Sequence, residues 1–379
     1  MKYDLIEKET QIIDLKRGLS ILNNINWDFS LRRMTTPNKI YPFDCRRYHW
    51  YPATFIPEIP FTLIEILTKS NATVYDPFGG IGTTYFQALI LERTPITTEI
   101  CRVAIDYMQA LFKLFDPTIN FGSVKRDLEK ITMSFNQNNN YKNDLPDCIL
   151  LDKLTPWYSK NTLNQILFLY SELHKTDNNI LKALLKISIS ANLKPSCSQD
   201  RGWGCIADNV LPKKKQIKNK NFIKHVQNHS NRLINDIKSH RKFLGPSYSS
   251  IYTQISEYLT IYHSDVREAV MVPDSSIDLL ITSPPYPNMT DYVTSQRLSY
   301  YLLGFEVNPS DTKATPDFEK EIGARRKRFN DTSLEEYEKE MKIANLSISR
   351  MMKDGGLACI VLPEFNKDTT NNKSRRSII

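Results

Sequence analysis

Residues 72–91 leave few folds open to this chain. Ala72-Thr73-Val74-Tyr75 reads as a short buried strand and Asp76-Pro77-Phe78-Gly79-Gly80-Ile81-Gly82-Thr83-Thr84 as the turn after it, with helix continuing over 85–91. A second strand is expected over 95–98, ending at Glu99, and a second helix over 103–115. This β-α-β-α succession is the signature of an α/β fold with a parallel sheet and right-handed crossovers. Three glycines directly after a strand let backbone approach a ligand closely at a helix N-terminus. A phosphate cradle would carry lysine after the glycines, where Thr83-Thr84 stand, and the dinucleotide fingerprint Gly-x-Gly-x-x-Gly is absent.

The alternation breaks after residue 117. Residues 118–148 are polar and asparagine-rich, helices are expected over 162–173 and 180–193, and 195–212 is irregular. A long basic helix is expected over 220–243. Strand-like alternation returns over 258–262, ending at Asp265, and again over 277–281. Thr282-Ser283-Pro284-Pro285-Tyr286 follows. Two successive prolines remove two backbone donors and fix φ, so the segment makes a rigid elbow at a strand's C-terminal end. Beyond it we expect a helix over 291–303, a basic polar loop over 309–330, and a helix over 334–352 terminated by Asp354-Gly355-Gly356. A buried strand over 357–362 comes last. At the other end of the chain, 5–23 reads as an amphipathic helix, 34–47 as loop, and a further helix starts near Pro57 and Pro60.

No apolar run reaches the roughly 18 residues that cross a bilayer, and the N-terminus lacks a signal-peptide core, so a cytoplasmic protein is expected. The six cysteines form no Cys-x-x-Cys pair, which points to neither a metal site nor a disulfide framework. A net charge of +8 fits a polyanionic partner, and its distribution says more. Residues 213–242 carry ten Lys or Arg against the single acid Asp236, and Arg325-Arg326-Lys327-Arg328 forms a second cluster. Solvated helix faces and loops would look the same.

Asp76 and Glu99 end consecutive strands, so both carboxylates are expected in one crevice. Glu99 is placed for the ribose diol of an adenosine ligand, and Asp265, ending a third strand, for its adenine amine. Together these acids describe a nucleoside cofactor with a positive centre near Asp76.

The glycine motif 76–84 and the elbow 282–286 together resemble the DNA amino-methyltransferases, which move a methyl group from S-adenosylmethionine to cytosine N4 or adenine N6. Tyr51-Pro52-Ala53-Thr54-Phe55 resembles the segment that precedes the glycine motif and covers the methionine end of the cofactor. The resemblance spans roughly 45–115 and 255–365. It implies a Rossmann-like class I methyltransferase sheet. It also implies a cofactor site of Tyr51, Phe55, Asp76, Pro77, Phe78, Gly79, Gly80, Gly82, Thr83, Thr84, Glu99 and Asp265, and a catalytic elbow of Ser283, Pro284, Pro285 and Tyr286.

Serine at the head of the elbow is mostly found in the cytosine-N4 enzymes and Asp or Asn in the adenine-N6 enzymes. Hydroxyl, amide and carboxylate all accept from an amine, so adenine N6 stays open. Cytosine-C5 chemistry would need a Pro-Cys pair, which the chain lacks. On this reading 1–44 is an N-terminal helical segment, 45–117 the cofactor-binding half and 256–379 the catalytic half. The basic, largely helical insert 118–255 would recognise double-stranded DNA. Candidate DNA contacts are Arg201, Trp203, Lys213, Lys214, Lys215, Arg325 and Arg326, although Trp157 and Trp203 could equally be core residues. A cognate restriction endonuclease is an expected partner. In one respect the chain departs from the family: only 17 residues follow Leu362, where a helix and an antiparallel strand pair are usual. An incomplete sheet is therefore expected, in a truncated, catalytically impaired DNA-binding remnant or in an enzyme completed by a second polypeptide.

Overall fold

A computed structural model describes residues 15–25, 27, 42–146, 149–199, 211–258, 260–305, 316–363 and 376–378. Strands β1 (Thr73–Asp76), β2 (Thr94–Glu99), β3 (Ile261–His263), β4 (Ile277–Thr282), β5 (Met352–Pro363) and β6 (Arg376–Ile378) form one sheet in the order β3-β2-β1-β4-β5-β6. The first five strands are parallel, and β6 pairs antiparallel with Val361–Pro363 of β5. Beyond β5 the described residues thus hold one further short strand.

β1, β2 and β4 are buried along their whole length, as parallel strands covered on both faces must be. Val74, Leu279 and Ile281 face a large core shared with the helices Glu58–Leu67, Thr83–Ile90 and Arg102–Leu114. Tyr75, Ile96 and Leu280 face a smaller one against Met351 of the Ser333–Met351 helix. β1 and β4 are neighbours although about two hundred residues separate them. The chain runs from β1 outward to β2 and from β4 outward to β5. Their C-terminal ends therefore flank the switch point at which open α/β sheets form a crevice.

The insert is helical, as expected, with helices Lys160–Lys175, Asn179–Ser196 and Phe222–Arg241. It shares one continuous core with the sheet's helices, and Trp157 is buried in that core. One helix, Phe121–Met133, lies inside the stretch read as polar and asparagine-rich. Its apolar signal is sparse: Phe121, Val124, Leu128 and Thr132 are its buried positions, and the Asn120 side chain caps it by accepting from the amides of Gly122 and Ser123.

Three expected boundaries move. Tyr258 ends a helix, Tyr248–Glu257, and β3 begins only at Ile261. The helix expected over 291–303 is divided at Gln296. Asp354-Gly355-Gly356 does not terminate the helix before it, because β5 starts at Met352 and carries these residues as a bulge. Ile277 pairs with Met352 and Leu279 with Leu357, so β5 spends extra residues there, with Gly355 at φ +76°. Lys353 in this bulge places its Nζ 2.9 Å from Asp278 Oδ1. The other oxygen of Asp278, which is wholly buried, accepts from the Thr73 amide at 2.9 Å. Among the described residues no helix is long and apolar enough to cross a membrane.

Candidate active site

The crevice at the C-terminal edge of β1 and β4 forms a partly open cavity, about 760 Å³ of space with its open solvent included. Of the sequence-predicted residues, Tyr51, Phe55, Pro77, Phe78, Gly79, Gly80, Thr83, Glu99, Asp265, Ser283 and Pro285 line it. Asp76, Gly82, Thr84, Pro284 and Tyr286 adjoin lining residues in sequence and are not part of the lining themselves.

The glycine turn is shaped by its neighbours. Gly79 lies so close to β2 that an added Cβ would sit 1.9 Å from Thr97 Oγ1. Gly82 adopts φ +86°, and a Cβ there would meet Met108 Sδ and Phe86 Cε2 at 2.9 Å. So anchored, the turn aims the Gly80 amide at Glu99 Oε2, 2.7 Å away, while Oε1 accepts from the Cys101 amide at 2.8 Å. Burial nevertheless dominates, and it pushes the Glu99 carboxyl up to about 7.

The two other acids take different posts. Asp76 does not share the cavity lining with Glu99. Its Oδ1 accepts from Thr282 Oγ1 at 2.7 Å and from the Phe78 amide at 3.1 Å, tying the end of β1 to the end of β4. Burial raises it to about 6. Asp265 lines the cavity but is paired with Arg267, whose Nε lies 3.0 Å from both carboxylate oxygens. A short-range basic partner two residues on was the signal that the sequence reading passed over.

Tyr51 stacks on Tyr292 with ring centroids 5.8 Å apart and an interplanar angle of 27°, giving the cavity an aromatic wall. The sequence reading also missed Glu321, which lines the cavity from the segment taken as a basic loop. Glu321 is 1% exposed and accepts from the Val293 amide at 2.8 Å and from Arg326. Its burial raises it to about 7. The Arg326 guanidinium also lies 3.4 Å from the Phe318 ring centroid. This candidate DNA contact is thus turned inward, to hold the cavity wall. Arg325 is half-buried beside it, and Lys213, Lys214 and Lys215 are exposed outside the cavity lining. Arg201 and Trp203 lie outside the described residues.

The elbow is held from several sides. Tyr286 donates its hydroxyl to the Val361 carbonyl of β5 at 2.8 Å, and Ser283 Oγ lies 2.9 Å from the same hydroxyl. Tyr337 of the Ser333–Met351 helix donates to the Pro285 carbonyl at 3.0 Å, and the Asn288 amide to the Gly323 carbonyl at 2.8 Å. A hydroxyl thus reaches the cavity on a backbone fixed by β5 and by that helix.

Residues 11–110 match the family model N6_N4_Mtase, described as DNA methylase. Over 251 residues the chain is 23% identical to the Type II methyltransferase M.MvaI of Kocuria varians, a match covering 63% of this chain and 52% of that protein. The chain therefore spans about half the length of the curated relative it matches. No solved structure matches significantly.

Proposed function

We propose, starting from the chain's place among the amino-methyltransferases of the N4/N6 family, that this protein transfers a methyl group from S-adenosylmethionine to cytosine N4 in double-stranded DNA. Its setting in this reading is the modification half of a restriction–modification system. One observation carries most weight: Glu99 beneath the glycine turn and Ser283 of the elbow open into the same cavity. A place for a nucleoside and a place for an amine are thereby adjacent.

The residues present fit the cofactor. Each Glu99 oxygen keeps accepting capacity beyond its amide bond for a ribose diol. Tyr51, Phe55, Phe78 and Tyr292 supply apolar faces. When bound, the cofactor supplies an electrophilic methyl group. An exocyclic amine conjugated to its ring is a poor nucleophile. Ser283 Oγ and the Pro284 carbonyl can accept its two N–H bonds and so turn the nitrogen lone pair out of conjugation. That is positioning and electrostatic stabilisation without a covalent intermediate. The target base must leave the duplex to arrive there, and Tyr286 is its stacking surface. Residues 45–117 and 256–379 act as cofactor and catalytic halves, and the basic insert 118–255 meets the DNA.

Incubation with labelled S-adenosylmethionine and unmethylated DNA, followed by digestion to nucleosides, is expected to yield N4-methylcytosine. N6-methyladenine would move the target to adenine. DNA binding without label would identify a non-catalytic remnant instead.

Cofactor binding is also expected to depend on pH. A diol donating to Glu99 favours the carboxylate, so binding releases the proton that burial retains up to about pH 7. Affinity should rise through that pH and level off above it, with roughly tenfold weaker binding at pH 6 than at pH 8. Titration calorimetry at the two pH values measures this, and Glu99→Gln should flatten most of the dependence. Equal affinities in the parent protein would remove Glu99 from the diol.

A further inference from the structure

At the elbow two hydroxyls and a carbonyl stand in line: Ser283 Oγ is 2.9 Å from Tyr286 OH, which is 2.8 Å from the Val361 oxygen. A carbonyl oxygen only accepts, and a phenol carries a single proton. If that proton pointed at Ser283, two acceptors would face each other across 2.8 Å. The proton therefore belongs on the Val361 side. The contact between the hydroxyls then has one sense left, in which Ser283 donates and Tyr286 accepts.

We infer that the Tyr286 hydroxyl is a positioning group that fixes Ser283 as an acceptor, drawing the serine proton away from the amine and leaving its lone pairs to the substrate. This rests on the proposed reading of Ser283 as an amine acceptor. A carboxylate at the head of the elbow accepts in either orientation, and an amide accepts through an oxygen that carries no proton. A serine hydroxyl rotates, and in the wrong rotamer it donates to the nitrogen lone pair that must attack the methyl group. A serine elbow thus needs a clamp on its proton, and β5 provides one through the phenol. Tyr286 then has two separable tasks, a ring for stacking and a hydroxyl for orientation.

Tyr286→Phe keeps the first and removes the second. It is expected to lower kcat about tenfold, with KM for DNA and Kd for S-adenosylmethionine within about twofold. In a Ser283→Ala background the same change should cost nothing more, because the hydroxyl acts only through Ser283. Full activity of Tyr286→Phe, or an equal loss in both backgrounds, overturns the inference. A parent protein that transfers no methyl group defeats the functional reading instead. Neutron diffraction from the perdeuterated protein still decides the orientation in that case. Deuterium on the Tyr286–Val361 and Ser283–Tyr286 lines, donated in that sense, supports the relay, and the reverse sense overturns it.

Discussion

Ser283→Ala is expected to lower kcat for methyl transfer by about 10²-fold, while Kd for S-adenosylmethionine stays within a factor of about two. Removing one preorganised hydrogen-bonding group from a reacting centre costs about 10²–10³ in rate. The lower figure applies here because the Pro284 carbonyl still receives one N–H. The loss should fall on kcat because the bond strengthens as the amine leaves conjugation, which happens on the way to the transition state. The elbow itself should survive, since Tyr286 keeps Val361 and Tyr337 keeps Pro285. A melting temperature within about 2 °C of the parent is therefore expected. Single-turnover kinetics with saturating cofactor separate the cases. If cofactor affinity or melting temperature changed and kcat did not, Ser283 would be a binding or folding residue.

The parts of this fold that the sequence discloses are those set by local chemistry. β1, β2 and β4 appear within a residue or two of their expected bounds, because each is a short buried run, and β1 and β4 end in turns whose glycines or prolines stop the strand. The cavity-lining half of the glycine motif and the elbow follow from the same punctuation. Side-chain partners were not legible in this way. Asp265 could be placed at a strand end, but its capture by Arg267 depends on a 3-10 turn that also brings Glu340 within 3.1 Å of the same guanidinium. Asp76 could be placed beside Glu99. Only the pairing of β1 with β4, distant in sequence, reveals that Thr282 takes its carboxylate. Glu321 sat in a segment whose charge suggested solvent. Its burial depends on Arg326, five residues on, and on the Val293 amide of another element. The Phe121–Met133 helix was missed for the opposite reason: four buried positions among polar neighbours are too few to show against an asparagine-rich background.

A mutation far from the cavity should have the largest effect on stability. Asp278→Ala is expected to destabilise the protein by about 3–5 kcal/mol, as removing one partner of a buried ion pair does. Asp278 is wholly buried at the second position of β4, and Lys353 is 9% exposed. Without the carboxylate, the Lys353 ammonium keeps its burial and loses its ion, and the Thr73 amide loses its acceptor. Asp278→Asn combined with Lys353→Met removes both charges but keeps an acceptor for Thr73. This double variant is expected to recover most of the loss, as uncharged replacements of buried pairs often do. Urea denaturation of the parent and the two variants measures the series. An Asp278→Ala midpoint equal to the parent's would show that the bulge of β5 stands without the pair. The bulge also sets the register of β5 against β4, and a slip of one residue would turn every side chain and carbonyl beyond it. Val361 is among them, and its carbonyl holds Tyr286. Asp278→Ala should therefore weaken methyl transfer as well, through the strand that anchors the elbow, and the double variant should restore both together.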